Sequence, residues 1–420
     1  FQFAGKAFLF DRSTHSLFAL DSVPSSTGMD DTSLAEEIFQ LSKKGFFLAS
    51  DPDSAPDKRV FKSFCLMMTR QCNFACTYCF EGQSSPSPQP YITAETALKA
   101  FRWLKKISPE RKRIEADFFG GEPLLYFDQV KEIIEQSEAL TKETKQEYIF
   151  SLTTNASLLT PDRLEFLNHH HISLIVSLDG EEAYQNKCRR FGNRQGTFSE
   201  VWPSIVRLMK TRDSGYYIRG TYTHQTLSFA DQVKWMYEHG IQKISFEPAV
   251  SPNIDLGVQE QDLPRIRQEY EKLAAWYITQ KQTDPALSFY HFELDLPNGV
   301  CVEKLMTSCG AGVEYLSLAP DGSLYPCHQF DGNQAYCLGN IHEESLDQEM
   351  VERFRYLTHL SNKTACANCW AKYLCGGGCL ANNLTMNGSL ETPFRIGCEI
   401  QKMRLEAALA VQGILSSTVK

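Results

Sequence analysis

Short apolar runs alternate with amphipathic stretches through the middle of the chain. FCLMMT (residues 64–69) is compact and almost wholly apolar, and IEADFFGG, YIFSLTTN, ISLIVSLDG, YYIRGTYT and KISFEP follow it at intervals. Between them ALKAFRWLKKI, VKEIIEQSEAL, LEFLNHH, VWPSIVRLMKT and ADQVKWMYEHG repeat their apolar positions at helical spacing. Buried strands joined by amphipathic helices predict parallel βα units. About six such units are present, against the eight of a closed barrel, so the expectation is an α/β chain with a partial (β/α)6 barrel. Ahead of it, FQFAGKAFLFD with HSLFALD predicts a hairpin and SLAEEIFQLSKKG a helix, together a small α+β region. SSPSPQP (residues 84–90) is a low-complexity loop. After about residue 290 the pattern dissolves into cysteines, glycines and short elements, as in a region organised by metal.

Composition narrows the function classes. Apolar residues make up 42% and charged residues 22% of 420, ordinary for a globular protein with a large core. A formal charge of −9 argues against a nucleic-acid partner, which needs a basic face. No apolar run approaches the ~20 residues of a membrane helix. No signal-peptide pattern opens the chain as given, and the expected compartment is the cytoplasm. There, fourteen cysteines point to metal or redox chemistry rather than disulfides. Three cluster at Cys72, Cys76 and Cys79, and nine more follow residue 300. Cys65 and Cys188 stand apart and are expected to be small buried hydrophobes.

The triplet lies in CNFACTYCF (residues 72–80). A structural zinc site wants four ligands, and nothing nearby supplies a fourth, although a partial zinc or redox site also fits a lone CxxxCxxC. Three thiolates on a 4Fe–4S cluster leave one iron open to an outside ligand. The spacing resembles the radical S-adenosylmethionine (SAM) enzymes. That resemblance implies that SAM chelates the free iron held by Cys72, Cys76 and Cys79, with Tyr78 beside the adenine.

Further motifs agree. DFFGGEPLL resembles the family's GGE motif, which implies that Gly120, Gly121 and Glu122 hold the SAM amino group; alone, it would be a turn entering a helix. YIFSLTTNASLLT resembles a strand ending in a TNG-type turn, with Ser151 and Asn155 at ribose or carboxylate and Ala156 where glycine is usual. ISLIVSLDG resembles a ribose-contacting SxDG through Ser177 and Asp179. All three fall at carboxyl ends of predicted strands, where α/β folds bind ligands. Arg189 aligns with an arginine that pairs with the SAM carboxylate, its neighbour Arg190 leaves the register open by one, and Arg219 is a second candidate. His169, His170 and His171 form an HHH run that invites a metal reading, between a predicted helix and strand.

The C-terminal cysteines form the second constellation. Cys366, Cys369, Cys375, Cys379 and Cys398 are separated by two, five, three and eighteen residues, behind Cys309 and Cys327. A pair of zinc ribbons would also use such spacings. The set resembles the seven-cysteine SPASM region, which carries two auxiliary 4Fe–4S clusters. By that resemblance Cys309, Cys327 and Cys379, together with Cys301, hold the first cluster. Cys366, Cys369, Cys375 and Cys398 hold the second. Cys337 fits no position and is expected to be structural, and His328 to make a hydrogen bond beside a ligand.

CGAGVEYL, YPCHQF and CWAKYLCGGGCLAN, with EADFFGGEPLL and YYIRGTYT, resemble the SCIFF-peptide and related ranthipeptide maturases, relatives of the quinohemoprotein amine dehydrogenase maturase. The resemblance implies three regions: residues 1–60 a peptide-recognition-like region, 61–290 the radical SAM partial barrel, and 291–420 a SPASM auxiliary-cluster domain. The first would bind a leader peptide as an added strand or serve as an ordinary cap. It implies SAM, three 4Fe–4S clusters, a ribosomal precursor peptide and a flavodoxin or ferredoxin reductant. The implied reaction links a substrate cysteine sulfur to carbon after a 5′-deoxyadenosyl radical removes a hydrogen atom. If Cys301 leaves an auxiliary iron open, that iron would bind the substrate thiol and lower its pKa. Glu247 is a candidate base near the substrate or a buried structural carboxylate. A sulfatase-type maturase forming formylglycine and a non-enzymatic iron–sulfur carrier are the alternatives.

Overall fold

The computed structural model describes residues 1–3, 5–12, 14–20, 31–44, 46, 59–81, 89–294, 296, 306–307 and 309–418. Its centre is a ten-stranded sheet. Six parallel strands run in chain order as neighbours: β4 (Ser63–Thr69), β5 (Arg113–Gly120), β6 (Glu147–Thr154), β7 (Ser173–Ser177), β8 (Tyr216–Tyr222) and β9 (Lys243–Pro248). A short β10 (Ser288–Phe289) continues the parallel run beyond β9. These are the six expected units of an open barrel. β4 is the most enclosed, with Cys65, Leu66, Met67 and Met68 all buried.

The crossing helices carry one apolar face, and two of them start at a capping threonine. α2 (Ala94–Ile107) starts where Thr93 accepts a hydrogen bond from Thr96 N. It buries Ala97, Leu98, Phe101 and Leu104 at helical spacing while Lys105 and Lys106 close its last turn. Between β5 and β6 runs α3 (Phe127–Thr144), which ends at Lys145 in the left-handed region, φ +61°. α4 (Pro161–His169) begins at Thr160, which accepts from Arg163 N, with proline in the first turn. α5 (Glu182–Cys188), α6 (Phe198–Thr211) and α7 (Phe229–Glu238) complete the crossings to β9, and α8 (Leu263–Thr283) leads to β10.

Two features depart from the expected pattern. The cysteine-rich region contributes a strand: β11 (Tyr315–Leu318) lies parallel to β4, pairing Tyr315 with Ser63 and Leu318 with Leu66. It then turns antiparallel into β12 (Ser323–Tyr325) and β13 (Gly339–Asn340). Nor does regular structure end there. Helix Gln348–Thr358 follows, and a 24-residue C-terminal helix, Arg395–Thr418, packs along α8. Its Ile400, Met403, Ala407 and Val411 recur at three- and four-residue intervals and join the barrel core. One hydrophobic core therefore spans both regions, with a second, around Val313, Cys327, Phe330, Phe354 and Leu380, beneath the cysteines.

The N-terminal residues form an antiparallel sheet of β1 (Gln2–Phe3), β2 (Lys6–Asp11) and β3 (Ser16–Leu20), then helix α1 (Asp31–Lys43). The expected hairpin is present with one strand added. A side chain at Gly413 of the C-terminal helix would strike Phe8 and Leu17, so this sheet rests against that helix. Among the described residues no helix is long and apolar enough to cross a membrane.

A bidentate ion pair ties the two main regions together. Arg70, just past β4, donates from Nε to Asp331 Oδ2 (2.7 Å) and from Nη2 to Oδ1 (3.0 Å). Asp331 is almost fully buried. Replacing Arg70 by Met strands that carboxylate, and loss of one partner of a buried pair is worth roughly 3–5 kcal/mol. Chemical unfolding of Arg70→Met should show a loss of that order, and of Arg70→Met/Asp331→Leu a much smaller one.

Candidate active site

The triplet loop leaves β4 and is fixed on both flanks. On one side the turn after β5 lies against it: Gly121 N donates to Thr69 O (2.7 Å) and Glu122 N to Gln71 O (2.9 Å). A Cβ on Gly121 would come within 2.0 Å of Gln71 O, and one on Gly120 (φ +122°) within 2.3 Å of Thr69 O. Both glycines are thus required by contact between two stretches of the chain's own backbone. On the other side Ala75 N donates to Arg190 O (2.7 Å) and Thr77 N to Cys188 O (2.9 Å), while Phe74 packs edge-on against Phe191.

This loop presents Cys72, Cys76 and Cys79. Phe74 N (3.3 Å) and Asn155 Nδ2 (3.8 Å) donate to the Cys72 sulfur, contacts that suit an anionic ligand. Burial pushes the Cys76 thiol up to about 12, against the pull of Arg189. Such a thiol binds as thiolate when a cationic centre arrives to compensate it. The donor set fits an iron–sulfur cluster on the three sulfurs.

Glu122 caps this corner. It is 1% exposed, and Oε1 accepts from Leu124 N (3.0 Å) and Thr154 Oγ1 (2.8 Å), Oε2 from Asn155 N (2.8 Å). Burial raises its pKa to about 7 although those three donors oppose the rise. Asn155 is equally engaged: besides Cys72, its amide donates to Asn73 Oδ1 (2.9 Å) and accepts from Ser157 N and Oγ. Ala156 has φ +64° and is buried, in the left-handed backbone for which glycine is the usual residue.

Asp179 gathers a second corner. Its Oδ2 accepts from Tyr78 Oη (2.7 Å), and its Oδ1 from Arg189 Nε (3.0 Å) and Thr221 N (2.9 Å). The Arg189 guanidinium lies over the Tyr78 ring, 5.4 Å from its centroid. Arg190 instead donates to Asn186 O on the preceding helix, so Arg189 is the arginine brought to the triplet. Ser177 ends β7 directly opposite Arg219 of β8.

The barrel interior is polar, which the sequence did not announce. Ser151 donates to Asp117 Oδ1 (2.7 Å). Burial lifts Asp117 to about 6, with Ser151, Thr153 and Arg219 opposing. Glu247 meets His291 Nε2 (2.9 Å) and Arg404 Nη1 (3.0 Å). Burial alone would raise its pKa, but His291, Arg404 and Arg219 bring it well below the usual range. Glu247 therefore stays ionised at neutral pH and is a poor proton acceptor, which removes it as the candidate base. Asp117, His291 and Arg404 were missed: Asp117 alternates inward with Phe119 in IEADFF, while Arg404 lies on the helix of Cys398, six residues beyond the cysteine that marks it. Arg219 faces this group with no hydrogen bond or ion pair among the described residues.

His328 closes the interior against the cysteine-rich region. It packs on Phe119 (4.6 Å) and Phe80 (5.6 Å) and bonds Tyr315 Oη through Nδ1 (3.1 Å). Enclosure and the Arg219 charge lower its pKa to about 4, so it is neutral. Beside it, Cys327 is electrostatically coupled to Cys309 and Cys379, while Cys398 is coupled to Cys375, Cys366 and Cys369. Cys301 lies outside the described residues. Among the described residues no three His, Cys, Asp or Glu side chains are gathered tightly enough to share one metal ion. In the HHH run the His169 and His170 rings meet edge-on (5.0 Å) and His170 is paired to Glu138 (3.1 Å). Cys337 contacts Gly339 O (3.4 Å), and Cys65 and Cys188 are buried.

Removing the Asp179 charge tests this arrangement. Asp179→Ala leaves Arg189 buried and Tyr78 without its acceptor; the expected loss of stability is roughly 3 kcal/mol or more. Unfolding by denaturant measures it, and Asp179→Asn, which keeps an acceptor, should lose less.

Comparison with known proteins places this geometry. Residues 66–218 match the model of the Radical SAM superfamily, and residues 309–370 that of the SPASM iron–sulfur cluster-binding domain. A radical SAM cyclopropyl synthase, TigE, of Paramaledivibacter caminithermalis is 20% identical over 81% of this chain and 72% of its own. A cysteine-type anaerobic sulfatase-maturating enzyme of Clostridium novyi is 24% identical over 74% of this chain and 85% of its own. The solved structure of anSMEcpe with bound AdoMet and the Kp18Cys peptide superposes with a TM-score of 0.66 at 19% identity, covering 85% of this chain and 99% of that one. The triplet, the strand-end turns and the paired cysteine groups thus lie on the fold of a radical SAM domain joined to a SPASM iron–sulfur cluster-binding domain.

Proposed function

We propose that this chain is a radical SAM peptide maturase that joins a cysteine sulfur to carbon in a ribosomally made, Cys-containing precursor peptide. The observation that carries the reading is the nearness of the triplet, the polar barrel interior and a cysteine group. Phe80 follows Cys79 and touches His328, which follows Cys327. When bound, a 4Fe–4S cluster on Cys72, Cys76 and Cys79 with SAM supplies a 5′-deoxyadenosyl radical, and two auxiliary 4Fe–4S clusters on the remaining cysteines supply electron acceptors.

The chain's own residues hold the reactants. In this reading Tyr78 lies against the adenine, and Gly120, Gly121 and Glu122 face the amino group. Ser151, Asn155, Ser177 and Asp179 surround ribose and carboxylate, and Arg189 neutralises the carboxylate. Phe119 and His328 exclude water beside the radical, which would otherwise be quenched. Arg219 and the Glu247–Arg404 pair orient the peptide from the opposite wall. The exposed edge of the N-terminal sheet suits a leader strand, and a flavodoxin or ferredoxin suits the reductant. Structural likeness to a protein solved with AdoMet and a peptide supports the substrate class.

A second reading is oxidation of a cysteine or serine to formylglycine, favoured by the likeness to the cysteine-type sulfatase-maturating enzyme. Mass spectrometry of a Cys-rich peptide after anaerobic reaction with SAM and dithionite separates the two. Thioether formation removes two hydrogens per link and leaves the cysteine resistant to alkylation. A hydrazine-reactive aldehyde establishes the second reading instead, and absence of 5′-deoxyadenosine sinks both.

Glu122 gives a pH signature. With its pKa near 7, it is increasingly ionised as pH rises through neutrality. A SAM ammonium prefers the ionised form, so SAM affinity should rise between about pH 6 and 8. Calorimetry of Glu122→Gln should find a flat profile.

A further inference from the structure

Lys363 lies between the two auxiliary groups. It is 8% exposed, and lysine is seldom buried so deeply without charged partners. Its carbonyl accepts from Cys366 N (2.9 Å), in one group. Its side chain runs to the Gly376–Gly378 segment, which separates Cys375 of that group from Cys379 of the other. There Nζ donates to Gly377 O (2.9 Å). A Cβ on Gly377 (φ +90°) would come within 2.5 Å of Lys363 Cδ, so the glycine leaves room for the lysine stem. Burial disfavours the ammonium and lowers its pKa, and Cys366 and Cys375 from one group, with Cys309 and Cys379 from the other, oppose that fall. Among the described residues its side chain has one hydrogen bond, to Gly377 O, so the ammonium keeps donors and charge to face the sulfurs on either side.

We infer that Lys363 is a counter-charge shared by the two auxiliary clusters, a positioning residue that holds both reduction potentials up and shields each cluster from the other's charge. The inference rests on the two-cluster reading above. An iron–sulfur cluster bound by four thiolates is anionic, and a buried cation beside it favours the reduced form. One cation placed between two clusters acts on both, whereas a surface lysine would be screened by solvent.

The test uses the full chain with Cys72, Cys76 and Cys79 replaced by Ala, so that only auxiliary clusters contribute. Iron and sulfide are counted and potentials followed by EPR-monitored titration for Lys363, Lys363→Gln and Lys363→Arg. Gln keeps a donor for Gly377 O and loses the charge; Arg keeps the charge. The expected result is unchanged iron in Lys363→Gln with both potentials shifted negative, and wild-type potentials in Lys363→Arg. A shift at one cluster alone, no shift, or equal shifts in both variants overturns the inference. Should Lys363→Gln lose iron, Lys363→Arg must restore both iron and potentials; failure to do so makes the lysine a structural clip and ends the proposal. An iron count below about eight with Lys363 in place overturns the two-cluster reading itself, and the shared role with it.

Discussion

The contact on which the site depends is between two backbones. The turn after β5 touches the chain leaving β4 so closely that no side chain fits at Gly120 or Gly121. That contact sets where the triplet loop begins and encloses Glu122 at the same corner. Glu122 then fixes the end of β6 through Thr154 and Asn155, and Asn155 returns to the Cys72 sulfur. Three strand ends are thereby locked into one corner by hydrogen bonds that a packed interior makes costly to lose. On the far side Asp179 does the same for Tyr78, Arg189 and β8. The loop between these corners has little freedom left, which is what a ligand set requires.

The second theme is that neither main region is complete alone. The sheet borrows β11 from the cysteine-rich region. The barrel interior borrows Arg404 from the C-terminal helix and His328 from beside Cys327. The charges facing the interior are therefore set by residues far apart in sequence, while Cys327 and Cys379 rest on a second core of their own.

Much of this was legible in the chain. Six βα units declared themselves because buried parallel strands are continuous apolar runs and their helices carry a clear stripe. The clustering of the cysteines was legible because CxxxCxxC and CxxC spacings are local, whereas their division into ligand sets came from resemblance alone. Arg189 against Arg190 was a matter of one residue, decided by Asp179, which the sequence placed at a strand end but could not aim. Less was legible where a residue's work depends on a distant partner. Asn155 and Glu122 read as ligand contacts, yet their first partners are one another and Cys72. Glu247 read equally as a base or a structural carboxylate, and its partner Arg404 stands 157 residues later. β11 is four residues long, too short for periodicity to separate from a turn, and the C-terminal helix was hidden behind a motif that drew attention to its cysteine.

The parallel pairing of β11 with β4 has a consequence for how the chain is made. The outer edge of β4 is a row of unpaired amides and carbonyls until Glu314, 252 residues beyond Lys62, arrives with its strand. A ribosome that adds about 5–20 residues per second leaves this apolar edge open for tens of seconds. Late closure makes the nascent barrel sticky, and it makes delivery of the cysteine-rich region the step that both seals the sheet and brings the sulfurs into place.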